Sequence, residues 1–270
     1  MTLSLRDVVA HAESLWPASG AEEWDSVGTV VGALDSTVTR VHFVVDVTVQ
    51  TVSDAIDSGC DLLIAHHPLL LRGVDTVAEE TYKGRLIAQL VRANCALLTV
   101  HTNGDRVESG TSATLAAAIG LESGTPIVPH EIGGGMGFMG VVQRQTLGSL
   151  AQKLASVLPA TAGGIKVSGD FDQSVESVAL CAGAGDSLLS HPTVRASDVF
   201  ITSDLRHHPV SEFREQAQLG KNTAVIDISH WAAEWLWLSV AAKQLGESLP
   251  ELSISVSDIN TDPWNFVVVQ

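Results

Sequence analysis

The histidines of this chain stand where its β-strand patterns stop. His66 and His67 follow DLLIA, His101 follows CALLTV, His207 and His208 lie just past DVFITSD, and His230 follows NTAVIDIS. Imidazole titrates near neutral pH and is the commonest metal-ligating side chain. Adjacent residues on a strand point to opposite faces. His66 and His67 can therefore serve one site only if the strand has ended before them and the pair lies on a loop. A single strand-end histidine is explained by a turn cap. Four strand ends bearing histidine argue instead for one shared crevice, because ligands of open α/β sheets bind beyond the carboxyl ends of the strands.

Two further clusters add carboxylates. HTNGD places Asp105 four residues after His101, and HWAAE places Glu234 four residues after His230 at the start of a predicted helix. An i, i+4 pair shares a helix face with Cβ atoms about 5–6 Å apart, close enough to grip one ion, although HExxH itself is absent. Taken alone, HxxxE is weak, since a solvated i, i+4 ion pair is the commoner explanation. Together the clusters supply three imidazoles, two carboxylates and a spare histidine. Such a set exceeds a closed tetrahedral structural site and suits two ions about 3.5–4 Å apart with open positions for water. The mixed N/O donors admit Zn, Fe, Mn, Co or Ni.

The elements that must position these residues alternate in type. RVHFVVDV, DLLIA, CALLTV, DVFITSD, NTAVIDIS and LSISVSDIN read as strands. TVQTVSDAIDSG, ETYKGRLIAQLVRANC, SGTSATLAAAIGL, TLGSLAQKLASVLP, HPVSEFREQAQLG and HWAAEWLWLSVAAKQL read as helices, as does the opening stretch to Trp16. This rhythm predicts an α/β fold of sheets covered by helices. Pro and Gly concentrate over residues 122–137. The expected organisation is a first α/β half over 1–128, with 250–270 as its candidate completion, and a second over 129–249, with no large central insertion.

The balance of 31 Asp and Glu against 15 Lys and Arg gives a net charge of −16. Direct nucleic-acid binding is not expected, since backbone contacts run on clustered cations. An anionic substrate would need a local counter-charge, which a metal can supply; the alternative is that the acidity serves solubility alone. With 45% hydrophobic residues the chain can bury a large core. No apolar run reaches the length that spans a bilayer, and the expected compartment is the cytoplasm. Three dispersed cysteines without CxxC read as buried thiols. GMGFMG, residues 135–140, matches GxGxxG but opens a strand, and is rejected as a dinucleotide fingerprint. CAGAGDS, residues 181–187, follows a strand and could cradle an anion, but lacks the P-loop lysine; a plain glycine turn is the simpler reading. Trp231, Trp235 and Trp237 read as packing residues, with base stacking by Trp231 as the other reading.

The motifs EEWDSVGTVVG, DLLIAHHPLLLRG, VHTNGDRVESGTSATLAAAIGL, TPIVP, GMGFMG, CAGAGDSLL, ITSDLRHHPVSEF and VIDISHWAAEWLWL occur in that order. As a set they make the chain similar to the dinuclear-metal family of NGG-one-interacting-factor-three-like proteins, often labelled GTP cyclohydrolase I type two homologues. The resemblance spans nearly the whole chain. It implies two divalent ions held by His66, His67, Asp105, His230 and Glu234, with His101, His207 and His208 left for orienting ligands or moving protons. It also implies two intertwined α/β halves with mixed sheets and the metal site in the crevice between them, assembled as a ring-shaped hexamer. The activity it suggests is metal-dependent hydrolysis of GTP or a related nucleotide. A non-catalytic metal-binding, metal-trafficking or regulatory role is the alternative, and the family's historical name hints at transcription. Departures occur: Gly104 stands where the family usually has Leu, SHWAAE replaces a sequence like GHYATE, and RHHP replaces a single histidine preceded by Tyr, with which His207 is aligned and His208 is the alternative.

Overall fold

The architecture is mixed α/β, and a computed structural model describes residues 2–131 and 133–269. Met1, Gln270 and Ile132, the last within the Pro- and Gly-rich stretch, lie outside the described residues. The chain divides into two compact units, residues 1–107 with 238–261 and residues 108–237 with 262–270.

The first unit is built on a five-stranded sheet in the order Ser253–Val256, Arg40–Val44, Leu62–Ala65, Ala96–Thr99, Gly28–Val31. The first four strands run parallel and the last is antiparallel to its neighbour. Leu62–Ala65 and Ala96–Thr99 are buried at every residue, as expected of central strands covered on both faces. That is why they read as unbroken apolar runs rather than as alternating ones. The helix Tyr82–Arg92 shows the covering logic. Thr81 caps it by accepting from the Gly84 N–H. Leu86 and Leu90, one turn apart, are fully buried and join Leu63 and Leu97 in one core cluster. Each such leucine contributes about 1.5–3 kcal/mol.

The second unit carries a six-stranded sheet in the order Lys166–Ser168, Ala224–Ile228, Val199–Ser203, Ser174–Ala184, Phe138–Thr146, Glu122–Thr125. Its three central strands are parallel and the outer pairings antiparallel. The GMGFMG motif falls on strands Gly135–Met136 and Phe138–Thr146, so it opens a strand and not a helix. The helix Leu147–Val157 buries Leu150 and Leu154 against Val178, Ile201 and Ile226. The long helix His230–Ser248 gives residues 230–237 to this unit and 238–248 to the first. Among the described residues no helix is long and apolar enough to cross a membrane. Cys60, Cys95 and Cys181 are all buried.

Asp198, at the entry of the strand Val199–Ser203, ties that strand to its neighbour. Its Oδ2 accepts from the Glu176 and Ser177 amides at 3.0 and 2.8 Å and from Ser177 Oγ at 2.8 Å, and Lys221 Nζ lies 3.0 Å from Oδ1. Burial alone would raise the carboxyl pKa. The bonds from Ser177, Lys221 and Glu176 outweigh it and bring the pKa down to about 2. A depressed carboxylate stabilises the fold above its unfolded pKa and loses that contribution as pH falls toward the folded value. Asp198→Ala should therefore lower unfolding free energy by about 1.5–3 kcal/mol near neutrality. In urea titrations at stepped pH, the gap to the parent should close between pH ~4 and ~2. A gap that does not change with pH would remove the charge from this account.

Candidate metal centre

In the first unit, three imidazoles are brought together. The His66 and His67 amides donate to Val44 O and Val45 O, so the ladder runs two residues past the strand. Pro68, which has no N–H, then turns the chain. His101 follows the end of Ala96–Thr99 and immediately precedes the short helix Thr102–Arg106. The ring centroids of His66, His67 and His101 stand 5.1–5.4 Å apart. One ligand nitrogen from each lies within 4.8 Å of the others.

Each ring is fixed through Nδ1. His66 Nδ1 donates to Val100 O at 2.9 Å, His67 Nδ1 to Asp46 Oδ1 at 2.8 Å and His101 Nδ1 to Asp25 Oδ1 at 2.8 Å. A carbonyl or carboxylate oxygen only accepts, so the Nδ1 atoms carry the protons and Nε2 is the atom of each neutral ring that could ligate an ion. This is the usual arrangement behind metal-ligating histidine. The supports are themselves anchored. Asp46 Oδ2 accepts from Thr261 Oγ1, and Asp25 Oδ2 accepts from the Thr102 amide and Oγ1. Burial works against the Asp25 charge, yet the His101 and Thr102 bonds hold its carboxyl well below the usual carboxylate range. Asn103 completes the corner: its Oδ1 accepts from the His101 amide and its Nδ2 donates to Trp16 O. The HTN triplet is thus a positioning device. Asp105, in the first turn of its helix, places Oδ1 3.6 Å from His66 Nε2.

The second unit holds the other pair. Ser229 Oγ accepts from the Ala232 amide and caps the helix His230–Ser248. One turn in, Glu234 is buried and its Oε1 lies 2.9 Å from His230 Nε2. His230 Nδ1 bonds Asp204 Oδ2 at 2.6 Å. Burial would lower the His230 pKa, but the Glu234 and Asp204 carboxylates override it and raise it well above the ordinary value. Gly183, at φ +77°, passes beside the pair. A Cβ there would lie 2.5 Å from Glu234 Oε1 and 3.4 Å from His230 Nε2. Of the glycines of CAGAGDS, Gly183 lies in the strand Ser174–Ala184 and leaves room for two side chains, and Gly185 precedes the 3₁₀ turn Asp186–Ser190.

Two ligands each about 2.1 Å from one ion stand roughly 3–3.5 Å apart. The His230–Glu234 separation of 2.9 Å lies just below that span and the His66–Asp105 separation of 3.6 Å just above it. His207 and His208 begin the helix His207–Gln218 with exposed rings 5.2 Å apart. Among the described residues they enter no cluster of ligand atoms able to hold an ion. Trp231 is 95% buried, its 5% exposure leaving no face for a base, whereas Trp24, 60% exposed, meets the His101 ring edge-on at 5.9 Å. Asp25, Asp46, Asp204 and Gly183 were not singled out from the sequence. Only the Asp of WDSVG and the strand-terminal place of Asp204 offered a signal.

Fold and donor set define an α/β protein with buried His and Glu groups that could hold a metal ion. Comparison with known proteins carries this further. The Duf34/NIF3 (NGG1p interacting factor 3) family model matches residues 3–263, and the chain belongs to that family. A Streptomyces coelicolor protein named GTP cyclohydrolase 1 type 2 homolog is 44% identical over 269 residues, covering 96% of this chain and 93% of its own. A Mycobacterium tuberculosis protein of the same name is 32% identical over 380 aligned positions, covering 98% and 97%. The crystal structure of a Bacillus cereus protein related to NIF3 superposes with a TM-score of 0.89 at 21% identity, covering 99% and 100%, a likeness of fold.

Because Gly183 leaves no room for a Cβ, Gly183→Ala should displace the Glu234 carboxylate. Calorimetric titration with Co²⁺ should show at least tenfold weaker binding, while circular dichroism shows an intact fold. Unchanged affinity would take Glu234 out of the ligand set.

Proposed function

We propose that the chain is a dinuclear-metal-dependent hydrolase-like protein acting on GTP or a related nucleotide. His66, His67, Asp105, His230 and Glu234 would supply the ligands of two divalent ions drawn from Zn, Fe, Mn, Co or Ni. The observation that carries the reading is the convergence of donor atoms: carboxylates on the Nδ1 of His67, His101 and His230 and a carbonyl on that of His66 orient the rings, and His66, His67 and His101 bring one ligand nitrogen each within 4.8 Å of the others. When bound, the ions lower the pKa of a water toward neutrality and polarise the bond it attacks.

The chain's own residues do the rest. Asp25 holds the His101 ring in the tautomer whose Nε2 can accept a proton, or act as a further ligand. Trp24 offers an exposed aromatic face beside that ring, suited to stacking a planar base. His207 and His208, exposed at a helix start, would move protons or meet substrate phosphate. The relatives' printed name supports the nucleotide assignment. Self-association into a ring-shaped hexamer and a cytoplasmic setting complete the proposal. The net charge of −16 speaks against direct nucleic-acid contact.

A second reading, metal carriage or regulation without turnover, is favoured by one observation. The residues anchoring the imidazoles are themselves acidic or neutral and bring no cation that would greet a phosphate. Metal analysis and a GTP-turnover assay separate the two. His67→Ala and Glu234→Ala should each lose bound metal and at least a hundredfold in kcat/KM, with Lys243→Ala unchanged. Full metal occupancy without turnover on a nucleotide panel would move the assignment to the carrier reading. Trp24→Ala should raise KM about tenfold with kcat held within a factor of two; a fall in kcat alone would exclude stacking.

A further inference from the structure

Two features of the second unit play no part in the metal chemistry. One is a groove of about 510 Å³ between the helix Leu147–Val157 and the strand Lys166–Ser168. Gly148, Ala151 and Ala155, spaced to share one helix face, form its floor, and Val167 and Phe171 its rim. The Phe171 ring rests on Gly148 so closely that a Cβ would lie 2.3 Å from it. Lys166–Ser168 is an edge strand: it pairs with Ala224–Ile228, and among the described residues nothing pairs its other edge. An uncovered edge is a template for strand addition.

The other is the segment Trp264–Val269. Trp264, Phe266, Val267, Val268 and Val269 are 62–89% exposed. The run FVVV has high β propensity, yet no strand among the described residues pairs with it. Its root is fixed beside the groove. Asp262 Oδ2 accepts from Ser229 Oγ, a groove residue, and Asp262 Oδ1 accepts from the Trp264 amide. Held there, the segment keeps its apolar side chains in solvent rather than in the groove next to it.

We infer that the segment Trp264–Val269 of one copy adds as a strand to the Lys166–Ser168 edge of a second copy and seats alternate side chains in the apolar groove. The chemistry matches on both counts: a β-prone run without a strand partner meets an edge without a neighbour, and aromatic and valine side chains meet a floor of Gly and Ala. The area suffices. Two aromatics per segment bury about 150–250 Å² each, and a reciprocal exchange doubles that. The valines and groove walls then carry it past the ~1,200 Å² of a specific interface. The inference rests on the self-association in the proposed function and assigns the surface that would carry it.

Sedimentation velocity on the full chain, Phe266→Asp/Val268→Asp and Ala155→Glu tests it. Ala155 is an exposed helix position, so the last change leaves the core alone, and circular dichroism should show both variants folded. The parent should sediment as an oligomer and each variant at half that mass or less. A fluorescein-labelled peptide of residues 262–269 should bind the double variant saturably, and at least tenfold more weakly once Ala155→Glu is added. Variants that retain the parent mass would overturn the inference and leave self-association to another surface. A monomeric parent would overturn both. Peptide binding that ignores Ala155→Glu would place the segment elsewhere.

Discussion

Both groups of candidate ligands depend on one kind of contact, a carbonyl or carboxylate oxygen accepting from the Nδ1 of each ring. A histidine ring with both nitrogens in water samples two tautomers and several rotamers. A carboxylate or carbonyl on Nδ1 removes that freedom and fixes where Nε2 points. Asp25, Asp46, Asp204 and Val100 do this for His101, His67, His230 and His66. The supports are held by threonine and backbone donors, so orientation is inherited from the fold rather than found at the moment of binding.

That dependence explains local features with no other purpose. The ladder amides of His66 and His67 keep the doublet in line with a fully buried strand, and proline then releases the chain. Thr102 and Asn103 spend their side chains on Asp25 and Trp16 and do not face a ligand. Gly183 adopts a backbone conformation that L side chains rarely reach, in the one place where a Cβ would strike Glu234. The acidity follows as well: many of the carboxylates near the histidines are structural partners whose charge a cation would offset.

The comparisons and the geometry speak to different questions. Family membership rests on a match over residues 3–263 and on relatives aligned over most of their length. A likeness at 21% identity fixes the fold, and fold alone does not define chemistry. The assignment of donors to a cation therefore rests on the separations within each unit and on the Nδ1 anchors, which are properties of this chain.

The sequence by itself determined the strand and helix alternation, because buried parallel strands are continuous apolar runs and their helices repeat every three to four residues. It also marked the histidines, since a strand pattern that stops on imidazole is visible without coordinates. Motif order carried the family, and the i, i+4 spacing carried the His230–Glu234 pair. What only the tertiary structure decided was the support. Asp25 lies 76 residues from His101 and Asp46 lies 21 from His67; no local pattern links an acceptor to a ring so distant along the chain. The same holds for Gly183, whose need for hydrogen in place of Cβ arises only when Glu234 packs against it. Local periodicity reports which face is buried, whereas a hydrogen-bond partner is chosen by how the sheets bring remote loops together.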